Sequence, residues 1–386
     1  MSVKVGVAVS TEDDLLDAGA AAGRAVADAL GDAPADLALV FASGEHLATP
    51  ETLLEAIHTV LAPATLIGCA AGGVLGLGRE LEGGTALAVW AASFAGHGEA
   101  TPFHATVDDA GLEPGIDGLP SLGRSSGTIL LVDPYSFPTD VALGLIAEEA
   151  PGVPVLGGIA SAHGPAGPLF VDGESYEQGA VGISFEGVEM LPCVSQGAAP
   201  LGRELTITAA EGNIIHELAG RPALQTVEQI IAELSPRERG LVAGGLLIGI
   251  VIDSGKPEYE QGDFLVRGVL GADPDSGSLA VGANVRNGQV VRLHARDARS
   301  ADEDLRRALR LQLEAMAGGP PAGALLFSCN GRGRAMFGAP DHDAEAVQRE
   351  LGNPPAAGFF AAGEIGPVGG RSFLHGFTAT LAVFPA

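Results

Sequence analysis

The sequence is poor in basic residues. It has 21 Lys and Arg against 48 Asp and Glu, which gives a formal net charge of −27, and its only lysines are Lys4 and Lys256. Because a protein needs Lys or Arg to displace counterions from phosphates, this composition argues strongly against a nucleic acid partner. An acidic composition bears on solubility and not on fold.

Cysteine and long apolar runs are also scarce. Cys69, Cys193 and Cys329 are too few and too scattered for a disulfide framework or a zinc site, and this usage suits a reducing cytoplasm. The N-terminal MSVKVGVAVS lacks the features of a signal peptide, and the most apolar run, Val242–Ile252, is far too short for a membrane span. Glycine-rich nucleotide-binding motifs do not occur in the required context. We therefore expect a cytoplasmic protein with no membrane partner, no metal and no cofactor.

Glycine is abundant, with 57 residues, and much of it lies in a repeated pattern. LIGCAAGG, VLGGIASA and GFFAAGEI each end the second strand of a predicted unit of strand, helix, strand, glycine loop and strand. The strand–helix–strand part predicts a right-handed parallel crossover, and the later strands add antiparallel pairing. The sequence therefore predicts an α/β (mixed α+β) protein of two related halves, each with mixed sheets flanked by helices.

Periodicity and capping residues predict the helices and one seam between domains. The predicted helices are Glu12–Leu30, Glu51–Leu61, Thr139–Ala150, Glu211–Leu218, Leu224–Leu234, Asp302–Met316 and Asp343–Leu351. The seam lies at Gln196–Gly202, so that the expected domains are residues 1–196 and 197–386.

The C-terminal stretch AGFFAAGEIGPVGGRSFLHGFTATLAVF carries charged groups between apolar strands. Together with FSCNGRGRAMFG upstream, the pattern GEIGPVGG…FLHGFTA resembles the C-terminal signature of the FIST (F-box and intracellular signal transduction) family. LIGCAAGGVLGLGRELEG resembles its N-terminal half more loosely. The resemblance implies a sensory module for small ligands, with amino acids proposed, and a possible signalling protein as partner. No fused kinase, cyclase or F-box segment is recognised, so we expect a stand-alone member.

Polar residues of the glycine loops are the candidate ligand-binding residues. They are Asn330, Arg332, Arg334, Glu364, Arg371 and His375 in the C-terminal unit, Arg79 and Glu80 in the first unit, and Ser161, followed by His163, in the second. The Asn330 and Glu364 loops leave neighbouring parallel strands at the edge where α/β sheets bind ligands. An arginine there can fork onto a carboxylate, and Glu364 can accept an ammonium. The alternative, an internal salt bridge between Glu364 and an arginine that pins the two loops, remains open.

Other reactive side chains favour structural roles. His375 stands among apolar neighbours, which favours a hydrogen-bonded core residue over a catalyst. Cys69 and Cys329 have no local base, which favours packing over nucleophilic catalysis. Asp341-His342-Asp343 precedes a helix, which favours capping over metal binding. We predict a sensory protein without covalent chemistry; the alternatives are a hydrolase or transferase that uses Cys69 or His375, and a protein-binding scaffold.

Overall fold

A computed structural model describes residues 3–108, 115–162, 167–253, 255–259 and 262–386. The chain divides into two compact units. The first unit comprises Met1–Val194, Leu305–Leu374 and Thr378–Ala386, and the second comprises Ser195–Asp304 and His375–Phe377. The units are thus not two consecutive segments. The division into residues 1–196 and 197–386 stays a prediction about the two halves of the sequence.

The first unit contains three copies of one arrangement of strands and helices. The first copy comprises β1 (Lys4–Ser10), α1 (Leu15–Leu30), β2 (Leu37–Ser43), a 3₁₀ turn (Gly44–Leu47), α2 (Pro50–Leu61), β3 (Leu66–Ala70), β4 (Val74–Gly76), β5 (Arg79–Leu81) and β6 (Ala86–Ser93). The second comprises β7 (Glu99–Asp108), β8 (Gly115–Asp117), β9 (Gly127–Val132), α3 (Thr139–Glu149), β10 (Val155–Ile159), β11 (Leu169–Val171), β12 (Glu174–Tyr176) and β13 (Ala180–Glu186).

The third copy begins with β14 (Leu191–Gln196) and is interrupted by the second unit, whose strands form one sheet in the order β15-β21-β18-β19-β20-β16-β17. The interruption comprises β15 (Ala198–Glu211), β16 (Ile214–Leu218), β17 (Arg221–Pro222), α4 (Ala223–Glu233), α5 (Pro236–Ala243), β18 (Leu246–Val251), β19 (Phe264–Asp273), β20 (Ser278–Val281), β21 (Val290–Arg296) and the start of α6 (Ala298–Ala315). The third copy then continues with β22 (Gly323–Cys329), α7 (Gly333–Phe337), α8 (His342–Leu351), β23 (Ala356–Ala361), β24 (Glu364–Val368), β25 (Arg371–His375) and β26 (Thr378–Phe384).

The hairpin of each copy (β4–β5, β11–β12 or β24–β25) pairs with the sheet of another copy. The three sheets have the orders β1-β6-β2-β3-β11-β12, β25-β24-β10-β9-β13-β7-β8 and β14-β26-β22-β23-β4-β5. The hairpin of the first copy therefore extends the third sheet, that of the second extends the first, and that of the third extends the second. Each copy has one pair of parallel strands joined by a helix, namely β2 and β3, β9 and β10, and β22 and β23. The hairpin strands pair antiparallel with the sheets that they extend.

One glycine in each copy allows the parallel strands to approach. Gly68, Gly157 and Gly358 are the third residues of β3, β10 and β23. A Cβ atom on them would lie only 2.0, 2.0 and 1.7 Å from the carbonyl oxygen of the paired residue in the neighbouring strand. These distances are well inside van der Waals contact, so no other residue fits at these positions.

The predicted fold class, an α/β protein with mixed sheets flanked by helices, is confirmed. Most predicted helices are found within a few residues of their expected bounds, and α1 begins at Leu15, with Asp14 as its N-cap. The helix predicted at Glu211–Leu218 is wrong, because this segment forms the turn and strand of the antiparallel pair β15–β16. Ile214, Ile215 and Leu218 belong to that strand, and two of them, Ile215 and Leu218, are fully buried in its sheet.

Candidate functional site

The glycine loops of the three copies meet and exchange backbone hydrogen bonds. The amide of Phe360 donates to the carbonyl of Gly73, at 3.0 Å, and the amide of Ile159 donates to the carbonyl of Gly363, at 2.8 Å. The amide of Ala70 completes the set by donating to Pro168, at 2.9 Å. In each copy, the end of one strand is thus hydrogen-bonded to a loop of another copy, so loops that are far apart in the chain lie side by side.

A pocket of about 180 Å³ opens where these loops meet. It is lined by Gly72, Glu82, Ser161, Asn330 and Phe360. Gly72 and Ser161 stand at the same position of their copies, four residues after the close-approach glycine. Glu82 follows the hairpin of the first copy, and Asn330 follows β22 in the third. The pocket is therefore a shared product of all three copies.

Ser161 joins the walls of the pocket. Its Oγ accepts a hydrogen bond from the amide of Gly72, at 3.0 Å, and donates to the carbonyl of Phe360. The side chain is buried. Asn330 differs, because it is exposed and its side-chain amide forms no hydrogen bond with another described residue. The Asn330 amide is therefore available to a ligand, whereas Ser161 is already hydrogen-bonded on both sides.

Arg332 lies beneath the surface in a two-bond ion pair with Asp343. Its Nε and Nη2 donate to the two carboxylate oxygens of Asp343 at 2.6 and 2.8 Å, and neither side chain is exposed. Ser328 and His342 also contact this carboxylate, at 2.7 and 2.9 Å. Burial alone would raise the pKa of Asp343, but the charge and hydrogen bonds of Arg332 outweigh it and hold that pKa well below its usual range.

Glu364 is also fully buried, and within the described residues it forms no salt bridge with an arginine, which was the alternative to ligand binding. Its Oε2 accepts hydrogen bonds from the amide and hydroxyl of Thr378, at 3.0 and 2.7 Å. Its Oε1 has no hydrogen-bond partner among the described residues, and neither does Nη1 of Arg332. Burial raises the pKa of Glu364 to about 8, although Thr378 and Arg332 oppose that shift. The buried arginine of this region, Arg332, therefore pairs with Asp343 and not with Glu364.

Glu80 caps a helix of another copy. Its buried carboxylate accepts the amides of Asp343 and Ala344, at 2.8 and 3.1 Å, in the first turn of α8. Asp341, at the start of this helix, makes no side-chain capping bond and instead accepts the amide of Glu80 at 2.6 Å. The predicted position of the Asp341–Asp343 segment is confirmed, because Asp341 is the N-cap of α8 and Asp343 lies in its first turn. The predicted capping hydrogen bonds are not formed by these side chains and come from Glu80 instead. Burial, followed by the charge of Asp343, raises the pKa of Glu80 to about 7.

The remaining predicted residues lie apart from the pocket walls. Arg79, Arg334 and Arg371 are exposed, and the backbone amide of Arg334 donates to Glu82 at 2.8 Å. Arg371 extends over the ring of Phe373, 5.7 Å from its centroid. His375 is buried at the end of β25, and His163 falls outside the described residues.

The cysteines considered as nucleophiles are buried. Cys69 has no exposed surface, and burial raises the pKa of its thiol far above the usual value. Because the thiolate is the nucleophile, this environment disfavours catalysis by Cys69. Cys329 is 5% exposed and adjoins Glu364, whose pKa its thiol helps to lower.

Three pocket residues escaped the sequence reasoning, namely Gly72, Glu82 and Phe360. The repeat contains the signal for one of them, because Gly72 matches Ser161 when VLGGIASA is aligned with LIGCAAGG. Glu82 sits only two residues after Glu80, but nothing in the sequence distinguishes the carboxylate that caps a helix from the one that reaches the pocket.

Across the described ranges, no three His, Cys, Asp or Glu side chains are grouped so as to hold a metal ion. In the same part of the chain, every helix is too short or too polar to cross a membrane.

Comparison with protein families gives two matches. Residues 36–221 match the FIST N domain, and residues 223–367 match the FIST C domain. The chain is 43% identical over 387 residues to the uncharacterized protein Rv0628c of Mycobacterium tuberculosis, covering 99% of this chain and 100% of that protein. It is 41% identical over 387 residues to the uncharacterized protein Mb0898c of Mycobacterium bovis, covering 99% of each.

Proposed function

This chain belongs to the FIST family of signal-transduction sensory domains, and from that premise we propose that it binds a small, amino-acid-like polar metabolite for intracellular signalling. The observation that carries the proposal is the pocket shared by the glycine loops of all three copies. A ligand there contacts loops from three sheets at once. Its binding energy can therefore favour one arrangement of the loops over another, which is what a sensor requires.

The chemistry of the pocket supports an amino group on the ligand. Glu82 is the charged residue among those that line it, and Asn330 supplies an amide with both donor and acceptor capacity. A carboxylate attracts an ammonium, and the amide can donate to a ligand carboxylate or hydroxyl. The volume of about 180 Å³ is below the range of about 300–1,000 Å³ of drug-sized sites, which favours a small ligand.

The proposal differs from a cage built on Arg332 and Glu364. Asp343 occupies the fork of Arg332, and both Arg332 and Glu364 are fully buried. A carboxylate ligand would have to displace Asp343 and leave its charge without a partner in the protein interior, which is very costly. We therefore assign ligand contact to Glu82 and Asn330 and a supporting role to Arg332 and Glu364.

The test is a thermal-shift and calorimetry screen with the twenty amino acids, their decarboxylated amines and their deaminated acids. A ligand present at 100 times its Kd stabilises the folded state by about 2.7 kcal/mol, so the melting temperature should rise with ligand concentration. Glu82→Gln should weaken binding of compounds with an amino group about tenfold or more, because it removes the charge but keeps an acceptor for Arg334. Asn330→Ala should also weaken binding.

Glu99→Gln is the matched control, because Glu99 is exposed and lies outside the lining of the pocket. The proposal fails if no compound with an amino group binds, or if Glu82→Gln and Asn330→Ala bind as tightly as the wild type. Mass spectrometry of the incubated ligands separates binding from turnover, and consumption of a ligand would favour a hydrolase or transferase instead.

A further inference from the structure

The copies differ in the number of helices that cover their sheets. In the first copy, α1 and α2 share one core with the strands, and in the third copy the part of α6 from Leu305 onward shares one with α8. α1 and α6 precede the pair of parallel strands, whereas α2 and α8 join the two strands of the pair. In the second copy α3 joins the strands, but residues 115–126, the described part of the connection before them, form β8 and turns and no helix.

The three joining helices α2, α3 and α8 can be aligned residue by residue. Leu61, Ala150 and Leu351 each lie at the C-terminal end of their helix, five residues before the next parallel strand begins, and all three are buried. Equivalent positions of the three helices follow from this alignment.

In the first copy, α1 covers the side of α2 that carries Ala56 and Val60. A Cβ atom on Gly19 of α1 would lie 3.0 Å from Cβ of Ala56, and one on Gly23 would lie 3.3 Å from Cβ of Val60. Both residues of α2 are half-buried. Two positions therefore mark the side that faces the neighbouring helix, namely Ala56 and Val60 in α2, Leu145 and Glu149 in α3, and Ala346 and Glu350 in α8.

In the third copy, α6 covers the same side of α8. Ala346 is fully buried. Glu350 forms ion pairs with Arg306 and Arg310 of α6, at 3.0 and 3.3 Å. The helix at this position thus supplies an apolar face and, where the residue opposite is a glutamate, the arginines that pair with it.

In the second copy, this side of α3 is apolar and exposed. Leu145 is 44% exposed, and Val141, one turn earlier on the same face, is 53% exposed. Ile116 and Leu119 of the preceding connection are half-buried and pack against the core beneath α3. Glu149 accepts a hydrogen bond only from a backbone amide of that connection, at 3.3 Å, and has no ion pair with another described residue. Adjacent exposed apolar side chains of this kind mark a surface for another molecule.

We propose that this side of α3 binds an amphipathic helix of another protein, with apolar residues against Val141 and Leu145 and an arginine or lysine against Glu149. Packing of an amphipathic helix into an apolar groove is a common mode of recognition. A second copy of this chain is disfavoured, because its net charge is −27 and Asp140 and Glu148 are exposed on the same helix. The surface shares no residue with the lining of the ligand pocket.

The probe is a synthetic peptide with the sequence of α6 (Ala298–Ala315), since α6 fills this position in the third copy. A hydrocarbon link between two positions that are exposed in α6 holds the peptide helical, because short isolated helices are marginal in water. Its binding to the full chain is measured by fluorescence anisotropy. Leu145→Ser should weaken binding about tenfold or more, because a leucine is no longer buried. Glu149→Gln should weaken it about two- to fivefold at low salt and less at high salt.

Leu270→Ser is the matched control, because Leu270 is 67% exposed in the second unit. Leu145 is exposed too, so both variants should fold, which circular dichroism checks. The inference is overturned if the linked peptide does not bind, or if Leu145→Ser binds it as Leu270→Ser does. It is also overturned if sedimentation shows a dimer of the chain that Leu145→Ser dissociates, since a second copy then covers α3. None of these results bears on Glu82 and Asn330.

Discussion

Arg332 and Asp343 form a two-bond ion pair with no exposed side-chain surface on either residue. The pair joins the loop after β22 to the first turn of α8, within the third copy of the repeat. Ser328 donates a further hydrogen bond to the carboxylate. Arg332, which the sequence suggests as a ligand-binding residue, thus has a structural role. Its ion pair with Asp343 fixes the loop that also carries Asn330.

Removal of one partner of this ion pair should strongly destabilise the protein. Arg332→Ala leaves Asp343 charged and buried without its partner, and we expect a loss of about 3–5 kcal/mol in the free energy of unfolding. Urea denaturation followed by circular dichroism at pH 7 measures this loss. Arg334→Ala, an exposed arginine two residues away, should change stability by no more than about 0.5 kcal/mol. Equal effects of the two variants would contradict the structural role.

Glu364 should make stability depend on pH. Its pKa is about 8 in the folded protein against an ordinary value of 4.5, so between these pH values the folded state holds a proton that the unfolded state has lost. The stabilisation from this group is fully present below pH 4.5 and is lost as the pH rises through 8, by up to about 1.4 kcal/mol per pH unit.

Glu364→Gln isolates this contribution, because glutamine stays neutral and can still accept from Thr378. The variant should gain stability relative to the wild type as the pH rises from about 5 to 9, measured by urea denaturation across that range. Glu345→Gln, on the exposed face of α8, should follow the wild type. A constant difference between Glu364→Gln and wild type would show that Glu364 is ionised throughout.

The cap that Glu80 provides for α8 should be measurable. Glu80→Ala leaves the amides of Asp343 and Ala344 without their acceptor, and we expect a loss of about 1–3 kcal/mol in unfolding free energy. Glu80→Gln keeps an acceptor oxygen and should recover much of that loss. Chemical denaturation at pH 8 compares the two variants. Similar losses in both would indicate that the charge of Glu80, and not its hydrogen bonds, matters.

The close-approach glycine of the third copy should not tolerate a side chain. In Gly358→Ala, the Cβ atom would lie 1.7 Å from the carbonyl oxygen of Leu326, so the two strands must separate. We expect little folded protein, measured by yield and thermal melting. Gly376→Ala, which has open space within 4 Å, is the control. A normal melting temperature for Gly358→Ala would contradict the strand spacing.

The sequence predicts the units of this fold better than their pairing. LIGCAAGG, VLGGIASA and GFFAAGEI identify equivalent strand ends, and each contains the glycine that the strand spacing requires. Glu211–Leu218 shows the opposite case, since its helical assignment fails where an antiparallel partner buries Ile215 and Leu218. A local sequence pattern does not show whether the backbone of such a segment forms helical hydrogen bonds within itself or pairs with a strand elsewhere in the chain.

What the sequence by itself determined is local: strand and helix periodicity, glycines where backbones must approach, and an acidic composition. The tertiary structure alone decided which charges meet. Asp343, in the first turn of α8, and not Glu364 became the partner of Arg332. Glu80 became the cap of a helix more than 250 residues away, because the hairpin of the first copy extends the third sheet. A buried charge without a partner is costly, so buried charged groups pair with whichever groups lie next to them in the folded protein. Separation along the chain does not determine which groups these are.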